Sequence, residues 1–292
     1  MKDIIQVLWT GGMDSTLVII QLSQIPDIQV LPVYICNSNG RATEGVELKT
    51  MHTIYELLKK DDRTNATLLP IRIVADREED IPEEAKNIPY EFHLRKRFHD
   101  SRVILKKAQE KVLELQKYRA PGFGKWKSNL IRLANQYGPV ISYVRTEKCM
   151  VDIGINGDEA FFLLKELYGI KKIVSSYRET YVFDENTTDP DLYAVFKNVS
   201  FPLYPIDKKQ EFKLYSDMGY EKIRDMVWHC YTPINGKPCG KCNTCVHYIR
   251  DGIYDRFDRA ALLRYIEFCE IERKTINDQY HEIISSALNN QS

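Results

Sequence analysis

A chain of 292 residues with 43% hydrophobic and 28% charged content can fill one large core or two small ones. Its 41 basic and 41 acidic side chains balance, which excludes a global charge attraction to nucleic acid or to an anionic membrane. No apolar run approaches the roughly 20 residues that span a bilayer. The first residues run straight into an apolar strand without a signal-peptide pattern, and the seven cysteines have no regular disulfide spacing, so the expected location is cytoplasmic.

Residues 4–9 form a short apolar run of the kind that makes a buried parallel strand. The string Thr10-Gly11-Gly12-Met13-Asp14-Ser15-Thr16 follows at once, and residues 15–22 read as a helix. A second strand is expected over 29–35, an amphipathic helix over 45–60 and a third strand over 67–74. This alternation implies a parallel sheet with right-handed crossovers. The expected fold class is therefore α/β, a parallel sheet flanked by helices.

The alternation breaks after Asp76. Residues 76–91 carry seven acidic and two basic side chains, and residues 92–127 carry eleven basic and three acidic ones. Helical spacing recurs over 102–119 and 125–137, so 77–150 reads as a helical insertion. The α/β pattern resumes with a helix over 158–168, a strand over 170–175, a loop over 184–191, an extended segment over 201–205 and a helix over 208–218. A last helix is expected over 260–273. The expected division is an α/β domain from 1–76 and 151–225, the insertion 77–150, and a C-terminal segment with a helix over 226–292.

The glycine string has the chemistry of a phosphate loop. Two adjacent glycines let the backbone approach an anion, their N–H groups form a nest, and the next helix adds its positive end. Thr10, Ser15 and Thr16 add hydroxyl donors. A bare carboxylate at Asp14 would repel phosphate, so Asp14 either holds Mg²⁺ or caps the helix. The expected ligand set for ATP is Thr10, Gly11, Gly12, Asp14, Ser15 and Thr16, with Asp14 and Ser15 also placed in the catalytic group.

Near the other end, Cys230, Cys239, Cys242 and Cys245 stand at metal-ligand spacing, with Gly236, Pro238 and Gly240 supplying tight turns. Four thiolates satisfy tetrahedral Zn²⁺ and leave no open position for a catalytic water. The alternatives are His229 or His247 in place of one cysteine, an iron–sulfur cluster, or a redox Cys-x-x-Cys pair. Cys36, Cys149 and Cys269 read as ordinary buried thiols.

The glycine string resembles the Ser-Gly-Gly-x-Asp-Ser signature of the PP-loop, or N-type, ATP pyrophosphatase superfamily. It lacks the Gly-Lys-Ser/Thr ending of the Walker loop. Cys230-Tyr231, Pro238-Cys239-Gly240-Lys241-Cys242 and Cys245 are similar to the C-terminal run of the 7-cyano-7-deazaguanine synthase family. Phe201-Pro202-Leu203, Asp207-Lys208-Lys209, Gly219-Tyr220 and Trp228-His229 before them also match that family's pattern. The resemblance implies an adenine nucleotide alpha hydrolase-like, Rossmann-like fold, with ATP, Mg²⁺ and Zn²⁺ as cofactors. It implies a ligase of queuosine-precursor biosynthesis that adenylates a 7-carboxy-7-deazaguanine-like carboxylate and uses ammonia to form the amide and then the nitrile. Gly40, Arg41 and Glu44 or Glu47 correspond to the glycine, arginine and acidic residue that the family carries after its second strand, which makes Arg41 a candidate nucleotide ligand; Lys208 is a candidate catalytic electrophile for phosphate or carboxylate, or else a surface lysine at the start of its helix. Arg178 is a candidate for meeting a substrate anion. Asp189-Pro190-Asp191 is the segment nearest the family's substrate loop, without that loop's cysteine and arginine, and makes Asp191 a substrate candidate. Asn156-Gly157-Asp158 is the nearest match to a second family stretch.

Other readings stay open at this point. The adenylated carboxylate can pass to an amine on a protein or small molecule. The basic stretch 92–127 admits a tRNA-modifying PP-loop enzyme, although the acidic stretch beside it argues against a nucleic-acid partner. A nucleotide-sensing scaffold is the non-enzyme alternative. The insertion is the candidate surface for a homodimer contact or a protein partner.

Overall fold

The structure, a computed structural model, describes residues 2–36, 43–94, 140, 143–144, 150–154, 169–188, 190–250 and 252–271. Among these, a seven-stranded sheet forms the centre of an α/β fold. Its strands are β1 (Asp3–Leu8), β2 (Ile28–Ile35), β3 (Thr67–Leu68), β4 (Ile71–Ala75), β5 (Tyr90–Leu94), β6 (Val151–Ile153) and β9 (Val199–Ser200). The order is β5-β4-β2-β1-β6-β9, with β3 beside β2, and every pairing is parallel. A separate antiparallel hairpin joins β7 (Ile170–Val174) to β8 (Glu179–Phe183). The strand expected over 170–175 therefore exists, but it lies outside the parallel sheet.

Both faces of the sheet are covered, which explains the unbroken apolar runs of its central strands. In β2, Val30 and Tyr34 enter one core, while Leu31 and Val33 enter another with Val74, Phe183, Phe196 and Phe201. Pro32 sits in the middle of this central strand, where a missing N–H would leave a ladder gap. Val30 accepts from Leu69, and Cys36 donates to Val74, so the even-numbered backbone groups face β3 and β4. The neighbouring strand breaks at Leu69-Pro70, opposite Pro32, so the missing donor falls at the break.

Helix α1 (Met13–Ser23) is buried along almost its whole length, with its polar Ser15, Thr16 and Ser23 included. Helix α2 (Glu44–Lys59) buries one stripe, Leu48, Met51, Ile54 and Leu58. The stretch expected to open the helical insertion instead holds the single turn α3 (Glu83–Lys86) and strand β5, which pairs with β4 along five residues. The α/β fold thus extends to Leu94. The helices expected over 102–119, 125–137 and 158–168 lie outside the described residues, as does Cys149.

The C-terminal part contains α4 (Pro190–Phe196), α5 (Lys208–Asp217), α6 (Glu221–Met226), α7 (Asn243–Arg250) and α8 (Arg259–Ile271). Helix α4 begins where a loop was expected, because Pro190 supplies a backbone set for a first helical turn. The core around α1 runs without a break into Cys230, Cys239, Cys245, Tyr248, Phe257 and Leu262. The cysteine segment therefore packs directly against the α1 half of the molecule. Among the described residues, no helix is long and apolar enough to cross a membrane.

Candidate functional site

The sheet reverses its build direction between β1 and β6. Strands β2, β4 and β5 lie on one side of β1, and β6 and β9 on the other. In an open parallel sheet, the crevice at the carboxyl ends of such a pair is where ligands bind. Residues 10–16 leave β1 at this point.

Gly11 has φ +70°, a left-handed conformation that favours glycine. A Cβ there would also lie 3.1 Å from the Glu47 carbonyl oxygen. Gly12 is the N-cap of α1, and its carbonyl accepts from Thr16 N–H at 3.1 Å. The alternative that Asp14 caps the helix is thereby corrected: the helix starts at Met13, and Asp14 lies one residue inside its first turn. Ser15 Oγ accepts from Thr10 N–H at 3.4 Å and braces the turn. Thr16 is fully buried and takes the Trp9 indole N–H at 2.8 Å, so it supports the loop from beneath. Thr10 stands exposed on the rim.

Gly154 follows β6 and touches the same turn. A Cβ on it would lie 2.6 Å from Ser15 N, closer than any real contact allows. Below the loop, Glu47 is buried and accepts from Tyr34 Oη at 2.8 Å and from Thr43 Oγ1 at 2.7 Å.

Helix α5 reaches the loop from the far end of the sequence. Asp207 and Gln210 close a capping box that fixes its first turn. Lys208, Glu211 and Tyr215 then share one helical face by their i, i+3, i+7 spacing. Lys208 Nζ bonds the Asp14 carboxylate and lies 3.1 Å from Glu211, whose carboxylate is fully buried. Tyr215 donates its hydroxyl to the Met13 carbonyl at 2.6 Å. Burial, and then the nearby Glu211 charge, hold the Tyr215 phenol well above its ordinary pKa, so it stays a donor. Lys208 and Asp14 are thus brought together, while Ser15, next to Asp14 in the chain, has its hydroxyl on Thr10 N–H.

The remaining candidates are placed elsewhere. Arg178 forms a two-pronged ion pair with Asp152 on β6, and Ser200 donates to the same carboxylate. Asp152 is fully buried, and the Arg178 side chain is 15% exposed. Asp191 falls in the first turn of α4. Arg41, Asp189 and the 156–158 segment lie outside the described residues.

The four cysteine sulfurs lie within 4.8 Å of one another, three buried and Cys242 half-buried. Cys239 and Cys245 sulfurs are 3.9 Å apart. A tetrahedron with Zn–S bonds of about 2.3 Å has an edge of about 3.8 Å, so the set fits a metal such as zinc. Backbone N–H groups of Lys241 and Cys242 point at Cys239 sulfur at 3.4 and 3.2 Å, and Cys239 N–H points at Cys230 sulfur at 3.2 Å. Such donors favour thiolates. Hydrogen bonds from Cys230 and Cys245 lower the pKa of Cys242, and the same bonds, with burial, raise the other two. Gly240 makes the close turn possible: it has φ +78°, and a Cβ there would lie 2.0 Å from the Ala261 carbonyl oxygen.

His229 stands beside the cluster but outside the metal-ligating group. Its ring stacks on Tyr248 at 4.4 Å and meets Phe257 edge-on at 5.2 Å. Among the described residues, neither ring nitrogen has a hydrogen-bond partner. Burial, with a contribution from Arg256, pushes its pKa down to about 3, so the ring is neutral.

Sequence reasoning missed how the two motifs meet. Trp228 N–H donates to the Gly11 carbonyl at 2.9 Å, so the residue two before Cys230 is bonded to the glycine turn. Gly154, Glu211 and Tyr215 were missed as well. The i, i+3, i+7 spacing of Lys208, Glu211 and Tyr215 was the one sequence signal available for the last two.

The family model described as queuosine biosynthesis protein QueC matches residues 193–254, a stretch that holds Lys208, Glu211, Trp228 and all four cysteines. No curated protein matches the chain.

Proposed function

We infer that this chain is an ATP-dependent ligase of the PP-loop type acting in the queuosine pathway. The observation that carries the reading is the convergence of the Gly11-Gly12 turn, Asp14 and Lys208 at the switch point of a parallel sheet. The QueC match supports it, because the matched stretch supplies Lys208 and the cysteine set.

The proposed substrate is a 7-carboxy-7-deazaguanine-like carboxylate. Hydroxide is a poor leaving group, so the carboxylate must be activated. One carboxylate oxygen attacks the α-phosphorus of ATP, pyrophosphate leaves, and the acid becomes an acyl adenylate. Ammonia adds at the acyl carbon, a proton is lost and AMP departs, giving the amide. The amide oxygen then attacks a second ATP, pyrophosphate leaves again, and loss of AMP with the two N–H protons gives the nitrile. In this reading Gly11, Gly12 and the start of α1 bind the phosphates. Lys208 stabilises charge on the phosphoryl oxygens. The Asp14 carboxylate would hold Mg²⁺, which supplies further charge neutralisation, and the four cysteines would hold Zn²⁺ as a structural ion.

Mass spectrometry after incubation with 7-carboxy-7-deazaguanine, ATP and ammonium tests the reading. Amide and nitrile masses are expected. Pyrophosphate without either product would favour transfer of the adenylate to another amine, a reading motivated by the absence of cysteine and arginine at Asp189-Pro190-Asp191. Absence of pyrophosphate would overturn the ligase assignment.

A further inference from the structure

We propose that residues Val227–Cys230 are a positioning strap through which cation occupancy at the cysteines and nucleotide occupancy at the glycine loop strengthen each other. The inference rests on reading residues 10–16 as the nucleotide site.

The strap touches both glycines of the loop. Trp228 N–H holds the Gly11 carbonyl at 2.9 Å. The Trp228 carbonyl lies 3.5 Å from where a Cβ on Gly12 would stand. The glycine nest must keep its N–H groups turned toward an anion, and glycine itself imposes little conformational restraint. Trp228 is therefore an external brace for a pair of residues that cannot brace themselves.

The other end of the strap is held by the cysteine lobe. Trp228 Nε1 donates to the Cys230 carbonyl at 2.7 Å, which locks residue 228 to the first metal ligand. Arg256 donates to the Val227 and Asp225 carbonyls at 2.5 and 3.1 Å. His229 stacks on Tyr248, which lies in α7 with Cys245. Every hold on the strap from this side belongs to the lobe that the four cysteines gather. Between Cys230 and Cys242 the chain has no regular element beyond a single bridge, Ile234 to Lys237. A cation that orders this stretch fixes residue 228, and residue 228 fixes Gly11.

Linkage then demands reciprocity: the factor by which the cation raises nucleotide affinity equals the factor by which nucleotide raises cation affinity. The test uses the full-length zinc-loaded protein and a non-hydrolysable ATP analogue. Zinc affinity is measured by competition with a chromogenic chelator, with and without saturating analogue. An increase of about tenfold is expected, within the usual range for coupled sites. Trp228→Phe keeps the backbone N–H and loses the indole bond to Cys230. It should retain zinc stoichiometry, analogue binding and far-ultraviolet circular dichroism while the coupling factor falls severalfold. If zinc loss unfolds the whole chain, any bound nucleotide would protect zinc; an undiminished factor in Trp228→Phe would reveal that case and overturn the strap. Analogue binding with unchanged zinc affinity would also overturn it and leave the nucleotide site standing. No analogue binding to loaded, folded protein would overturn both.

Discussion

Lys208 and Asp14, 194 residues apart in the chain, meet in an ion pair at the mouth of the glycine loop. The pair joins the first turn of α1 to the first turn of α5, and Glu211 holds the lysine from its other side. Under the proposed function Lys208 would turn from Asp14 to the phosphate oxygens of ATP.

Replacing Lys208 with alanine should therefore lower pyrophosphate release by roughly 10²–10³, the usual cost of removing one preorganised charge-stabilising group. Asp14→Ala should abolish turnover while circular dichroism and thermal unfolding stay near those of the parent. Parent-like rates in both variants would remove the pair from the reaction.

Gly154→Ala should weaken nucleotide binding and stability together. Its methyl would collide with the backbone of Ser15, and backbone cannot swing aside as a side chain can. A loss of roughly 1–3 kcal/mol is expected for overpacking of this kind, read from denaturant midpoints.

Much of this neighbourhood was legible before the structure, and the illegible parts have physical reasons. Strands β1 and β2 announced themselves because both faces are covered, leaving continuous apolar runs. Strand β6 did not: it is three residues long with Asp152 in the middle, and the Arg178 and Ser200 partners explain how that charge is buried. Strand β5 reads Tyr-Glu-Phe-His-Leu, a polar alternation suited to a sheet edge, and it was absorbed into the expected insertion. The cysteine set was legible from spacing alone. Its bond to the loop was not, because a backbone N–H meeting a backbone carbonyl leaves no signature in side-chain identity.

Arg178→Met should cost about 3–5 kcal/mol, since it strands the fully buried Asp152 carboxylate. Adding Asp152→Asn should recover part of that loss in thermal unfolding. If Arg178 instead serves mainly to bind substrate, Arg178→Met would raise KM with little change in stability.

Cys242→Ser should lower zinc content and the unfolding midpoint together; unchanged zinc stoichiometry by atomic absorption would refute its assignment as a ligand. His229→Phe should leave zinc content unchanged, because the ring lies outside the sulfur group and only its stacking on Tyr248 needs replacing. A drop in zinc on that substitution would make His229 a ligand.

The bond between Trp228 and Gly11 also sets an order of events during synthesis. Gly11 is synthesised more than two hundred residues before Trp228, whose N–H holds its carbonyl. At about 5–20 residues per second, that interval is roughly 10–45 s. Throughout it Gly11 lacks the bond to Trp228, so that hold on the glycine turn forms only once the cysteine lobe has emerged behind it.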